Sequence, residues 1–192
     1  MRSPVAELLG ALSAVLDRLG VGWYLFGAQA ALLYGAARLT ADVDVTVDLG
    51  PRAASALVAA LTAAGFELRV RDDLDAFIAR TCVVPLVHLP SGLPLDIVLA
   101  GPGPEEMFLR RARRHDVEGV PVPVASPEDV VAMKILAGRP KDLEDALAIL
   151  VANRGLDTVL PRDTLRLLEQ ALDRSDLVSA FEELARRARQ EG

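Results

Sequence analysis

At 192 residues with 52% hydrophobic content, the chain can supply the core of one large domain, or of a catalytic domain with an appendage, and is expected to fold unaided. Its formal net charge of −6 argues against a protein that coats nucleic acid by charge alone. Cys82 is the single cysteine, which excludes an intramolecular disulfide and reads as a small core residue; no basic leader or bilayer-length apolar run is present, so the expectation is a cytoplasmic protein without membrane insertion.

Ser3 and Pro4 read as the cap and first turn of an amphipathic helix that follows the spacing of Val5, Leu8, Leu9, Leu12, Val15, Leu16 and Leu19 and stops at Gly20. Residues 21–26 read as a short buried strand, Gly27 as a tight turn, and 28–35 as a short helix. A strand, a glycine turn and a helix start in that order present backbone N–H groups to an anion such as phosphate.

Residues 38–48 are predicted as the second strand. There Arg38, Thr40, Asp42, Asp44 and Thr46 alternate with Leu39, Ala41, Val43, Val45 and Val47. Side chains repeat with period two along a strand, so Asp42 and Asp44 fall on one face, their Cα atoms roughly 6.5 to 7 Å apart. Such a face is poor for a core and suited to one Mg²⁺ or a close pair of ions of the kind used in phosphoryl transfer.

After a helix over 51–64 and a third strand over 66–70, residues 81–89 and 94–100 read as a hairpin turned at Pro90-Ser91-Gly92. Asp96 interrupts the apolar run of its second arm. An ionised carboxylate there needs a partner, and Asp42 and Asp44, bridged by a cation, are the candidates.

Past the Gly/Pro cluster at 101–104 the texture becomes helical: 105–114, a Val/Pro segment ending in Ala125, then 126–138 with Ser126 as N-cap, 141–153, 162–172 and 175–190. Two basic clusters, Arg110 to Arg114 and Arg186, Arg187 and Arg189, read first as solvated helix surface and a helix C-terminus. His88 and His115 lack metal-ligand spacing, so no zinc site is expected.

Gly27, Asp42, Asp44 and Asp96, in that order, resemble the nucleotidyltransferase superfamily related to DNA polymerase β. Arg38-x-Thr40-x-Asp42-x-Asp44, with Lys134, Arg139 and Asp142-x-x-Asp145 further on, is closest to the AbiEii-type toxin nucleotidyltransferases and their small relatives. The resemblance spans roughly residues 20 to 150. It implies an α/β (α+β) fold, a small mixed sheet flanked by helices, with residues 1–100 as the nucleotidyltransferase core and 101–192 as a mainly helical region packed on it.

The chemistry so implied is transfer of a nucleoside monophosphate from a nucleoside triphosphate to a hydroxyl, dependent on Mg²⁺ or Mn²⁺. Asp42, Asp44 and Asp96 would hold metal, Asp96 ligating a second ion or taking the acceptor's proton. Gly27, Ala28, Arg38, Thr40 and Lys134 would serve the nucleotide, with Arg139, Asp142 and Asp145 in support. Ala28 stands where the family has a second glycine or a serine, so only its backbone N–H is offered. Arg38 reads equally as a phosphate contact and as an ion-pair partner of an acid.

The acceptor would be tRNA or other RNA, as for a toxin with an antitoxin partner, or a small hydroxylated molecule, as for an aminoglycoside- or lincosamide-type antibiotic nucleotidyltransferase. A degenerate, non-catalytic nucleotide- or partner-binding module is the third reading. Asp42-x-Asp44-x-Thr46-Val47 also matches the motif of haloacid-dehalogenase-type phosphatases, whose acids end a buried strand; here the apolar alternation continues past them, which sets that reading aside.

Overall fold

The apolar residues that alternate along 43–47 and 95–99 belong to one face of a mixed sheet. In the computed structural model, which describes residues 2–37, 40–70, 73–101 and 103–191, the seven strands are β1 (Gly22–Phe26), β2 (Val43–Asp48), β3 (Phe66–Leu68), β4 (Val83–His88), β5 (Leu93–Leu99), β6 (Arg113–Val117) and β7 (Val120–Val124). Their order is β3-β4-β5-β2-β1-β7-β6. The pairs β2–β5 and β1–β7 are parallel and the others antiparallel.

The helices are α1 (Pro4–Leu19), α2 (Gly27–Leu33), α3 (Ala54–Thr62), α4 (Leu74–Thr81), α5 (Pro104–Arg111), α6 (Pro127–Ala137), α7 (Pro140–Ala152), α8 (Val159–Leu172) and α9 (Leu177–Gln190). By proximity the chain forms two compact units, one of residues 1–26 and 40–125, the other of residues 27–39 and 126–192. The fold class is the mixed α/β one expected.

In the sheet unit, one face carries the apolar core at its central strands. Val43, Val45, Val47, Leu95 and Ile97 are wholly buried there, and α1 lies against that face, its Gly10 so near that an added Cβ would meet Val120 Cγ2 at 3.6 Å. The opposite face carries Asp44, Thr46, Asp48 and Asp96, and α5 covers part of it, Leu109 approaching Gly22 and Phe108 meeting the Tyr24 ring at a centroid distance of 6.5 Å.

Several expectations are corrected. The second strand starts at Val43, not at residue 38, because Thr40 Oγ1 accepts the Asp42 N–H at 3.3 Å and turns the chain before the ladder begins; Arg38 and Leu39 lie outside the described residues. Residues 113–124 are a hairpin, closed by Glu118 and Gly119, both at positive φ (51° and 81°), the geometry of a two-residue type I′ turn. The sheet unit therefore runs past the Gly/Pro cluster at 101–104 to Ala125. Cys82 is exposed rather than in the core, because it ends α4 in the left-handed conformation.

The second unit gathers α2 with α6, α7, α8 and α9. Ser126 caps α6 as expected, accepting the Asp129 N–H at 3.1 Å while its hydroxyl donates to Asp129 Oδ2 at 2.7 Å. Gly35, at φ +105°, comes so close to Ala152 that a Cβ would lie 2.6 Å from that methyl, and Asn153 Nδ2 donates to the Tyr34 carbonyl at 2.8 Å. Among the described residues no helix is long and apolar enough to cross a membrane.

Candidate active site

Asp44 and Asp96 are register partners on the neighbouring parallel strands β2 and β5. Partners in a ladder point the same way, with Cα atoms about 4.8 Å apart, so the two carboxylates stand side by side on the polar face. Like charges so placed repel unless a cation lies near. Arg69 supplies one. Its backbone N–H bonds the Pro85 carbonyl at 3.0 Å, its Nε donates to the Leu86 carbonyl at 2.9 Å, and its guanidinium pairs with Asp96. The residue is set by the β3–β4–β5 register, with Pro85 opposite Asp96, a relation that no local pattern in the sequence announces.

Asp42 is exposed and sits one residue before β2, so the strand geometry expected to align it with Asp44 is absent at that position. Among the described residues no three His, Cys, Asp or Glu side chains gather closely enough to hold a metal ion. The adjacent oxygens of Asp44 and Asp96 are nevertheless the donor chemistry that a hard divalent cation takes.

Of the other predicted residues, Thr40 belongs to the sheet unit, and Gly27, Ala28, Lys134, Arg139, Asp142 and Asp145 fall in the helical unit. Gly27, at φ +69°, makes the turn from β1 into α2, a conformation in which a side chain is strained, and Ala28 follows it within the helix. Lys134, Arg139, Asp142 and Asp145 are brought together as an ion network. Lys134 Nζ donates to Asp142 Oδ1 at 3.1 Å and Asp145 Oδ2 at 2.6 Å, all three side chains being at most 6% exposed, while Arg139 grips Asp142 from the surface. Burial alone would raise the Asp142 pKa; hydrogen bonds from Arg139 and Lys134, with their charges, outweigh it and hold the carboxyl below its usual range.

His88 is buried beside Phe66, with Nδ1 2.8 Å from Ser91 Oγ; burial lowers its pKa, partly offset by the charge of Glu7. Arg114 projects from β6 on the same sheet face as Asp44, being the register partner of Pro123, whereas Arg110 pairs with Glu106 at 2.6 Å. Arg186 and Arg187 are engaged along α9 by Glu183 and Glu191.

The sequence model of the family described as "Nucleotidyl transferase AbiEii toxin, Type IV TA system" matches residues 10–191. The chain belongs to the AbiEii nucleotidyltransferase family. The resemblance to the AbiEii-type nucleotidyltransferases, drawn from Arg38-x-Thr40-x-Asp42-x-Asp44 with Lys134, Arg139, Asp142 and Asp145, therefore holds at family level. A comparison with curated protein sequences found no match. Among solved structures, the chain is similar to the antibiotic-resistance factor ANT(2'')-Ia (TM-score 0.61, 16% identity, 90% of this chain and 95% of that one). It is also similar to an antigenic nucleotidyltransferase-like protein from Paracoccidioides brasiliensis (0.53, 22%, 92% and 91%) and to JHP933 from Helicobacter pylori (0.50, 18%, 99% and 93%). At these identities the likeness establishes the nucleotidyltransferase fold of this AbiEii family member.

Proposed function

We propose that this AbiEii family member transfers a nucleoside monophosphate from a nucleoside triphosphate to a hydroxyl of tRNA or another RNA, in a Mg²⁺- or Mn²⁺-dependent reaction, acting in the cytoplasm as a toxin held in check by an antitoxin. The observation that carries the reading is the register pairing of Asp44 with Asp96 on one polar sheet face. Asp44 and Asp96 hold the ion, and Asp42, at the mouth of β2, joins them. The ion, when bound, offsets negative charge on the phosphates.

The acceptor oxygen bonds to the α-phosphorus as the bond to pyrophosphate breaks. Asp96 also takes the hydroxyl proton. Gly27 and Ala28 offer backbone N–H groups, Thr40 a hydroxyl, and Arg38 a guanidinium to phosphate. Two of the three donors of Lys134 are committed to Asp142 and Asp145, so a phosphate contact uses the third. Arg114 supports the RNA reading, because a backbone-binding track needs cations on the face that carries the acids. A small hydroxylated acceptor is the second reading, favoured by the acidity of that same face, which attracts cationic molecules.

The test is incubation with each labelled nucleoside triphosphate, a total RNA pool and a panel of hydroxylated antibiotics. Ion-dependent label in RNA, lost in Asp44→Asn, is expected. Label in a small acceptor alone selects the second reading, and nucleotide binding with no transfer to anything indicates a non-catalytic module.

A further inference from the structure

Away from Asp96, the polar face of the sheet opens into a cavity of about 280 Å³ beneath α5. Tyr24, Thr46 and Asp48 line it from the strands, and Glu105, Glu106 and Leu109 from the helix. Thr46 is 4% exposed, and its hydroxyl has no hydrogen-bond partner among the described residues. A buried hydroxyl is rarely left so, and this one lies on the sheet face that borders the cavity.

The other polar groups on the wall include three carboxylates. Asp48 Oδ1 accepts the Gly50 N–H at 2.9 Å and Glu106 pairs with Arg110, whereas no described residue bonds Glu105. Hydroxyl and carboxylate oxygens together accept hydrogen bonds, and a primary ammonium offers three donors. No three metal-ligating side chains among the described residues meet at one point, so at most two of these carboxylates share one ligand atom. A cation whose charges are spread along a chain fits that spacing where a single metal ion does not, and Leu109 and the Tyr24 ring give its methylenes an apolar wall.

We propose that this cavity binds a small aliphatic polyamine, one ammonium held by Thr46 Oγ1 with the Asp48 and Glu105 carboxylates. The site needs neither nucleotide nor metal ion and stands whether or not the transfer reading does.

Calorimetric titration of the full chain with spermidine tests it. One saturable site is expected, weakened at least about tenfold in Glu105→Gln, the loss of one charge-assisted hydrogen bond, and weakened also in Thr46→Val, which keeps the side-chain shape. Glu105 is only half-buried on α5, so Glu105→Gln remains informative if Thr46→Val fails to fold. Absence of saturable binding, unchanged affinity in Glu105→Gln, or displacement of spermidine by an equal concentration of Mg²⁺ overturns the proposal.

Discussion

Asp44 and Asp96 stand in register on the polar face, and the guanidinium of Arg69 pairs with Asp96. Asp44→Asn keeps the side-chain shape and removes the charge, so it is expected to abolish ion-dependent triphosphate binding while leaving the unfolding transition in place. Calorimetry beside a thermal melt checks both halves. Arg69 competes with a divalent cation for Asp96, and Arg69→Met should therefore tighten Mg²⁺ binding. Both side chains are 40% exposed, and a solvent-screened pair is worth at most about 1 kcal/mol, which limits the gain to about fivefold. A weaker Mg²⁺ affinity in Arg69→Met would show that the arginine's part is to hold Asp96 in place.

The joint between α6 and α7 rests on Lys134. Lys134→Met leaves Asp142 and Asp145 facing each other in a buried site, and breaking such a network costs about 3–5 kcal/mol; urea denaturation should show that loss, and a drop below about 1 kcal/mol would mean the site is already wet. At this level the sequence was only partly readable. Helix starts at Ser3 and Ser126 and the strand at 43–48 were legible because capping and period-two alternation are local. The β6–β7 hairpin was not, although Val120, Val122 and Val124 alternate and Gly119 marks the turn, because Pro121 and Pro123 demote a strand and Arg113 and Arg114 extend a helical pattern. In the candidate site, Asp44 and Asp96 could be named from their cost in an apolar strand, but Arg69 could not, since its role follows from a long-range register. The Lys134 group could be named, but its ion pairing needs two helices brought together.

In each unit a buried group couples its titration to stability. His88, in the sheet unit, has a folded pKa below its ordinary 6.5, so its contribution is present above 6.5 and erodes as pH falls through the folded value. Asp142, in the helical unit, is depressed below its ordinary 3.8, so its contribution persists to that point and is lost only at lower pH. Urea midpoints measured across the acid range should fall first below 6.5 and again below 3.8, and a single late fall would contradict the buried, neutral state of His88. On a chain of net charge −6, RNA must find its cations locally. Arg114→Glu should therefore weaken transfer to RNA more at low salt than at high, and transfer rates across a salt series decide this.

The discontinuity of the two units also bears on the order of synthesis. α2 is only seven residues long, below the roughly 12–15 that an isolated helix needs, and its neighbours in the helical unit, α6 and α7, lie beyond residue 125. On the ribosome, α2 must wait unformed while the whole of residues 40–125 is translated. The glycine turn that follows β1 is thus made before the sheet unit is complete and takes its shape only after it.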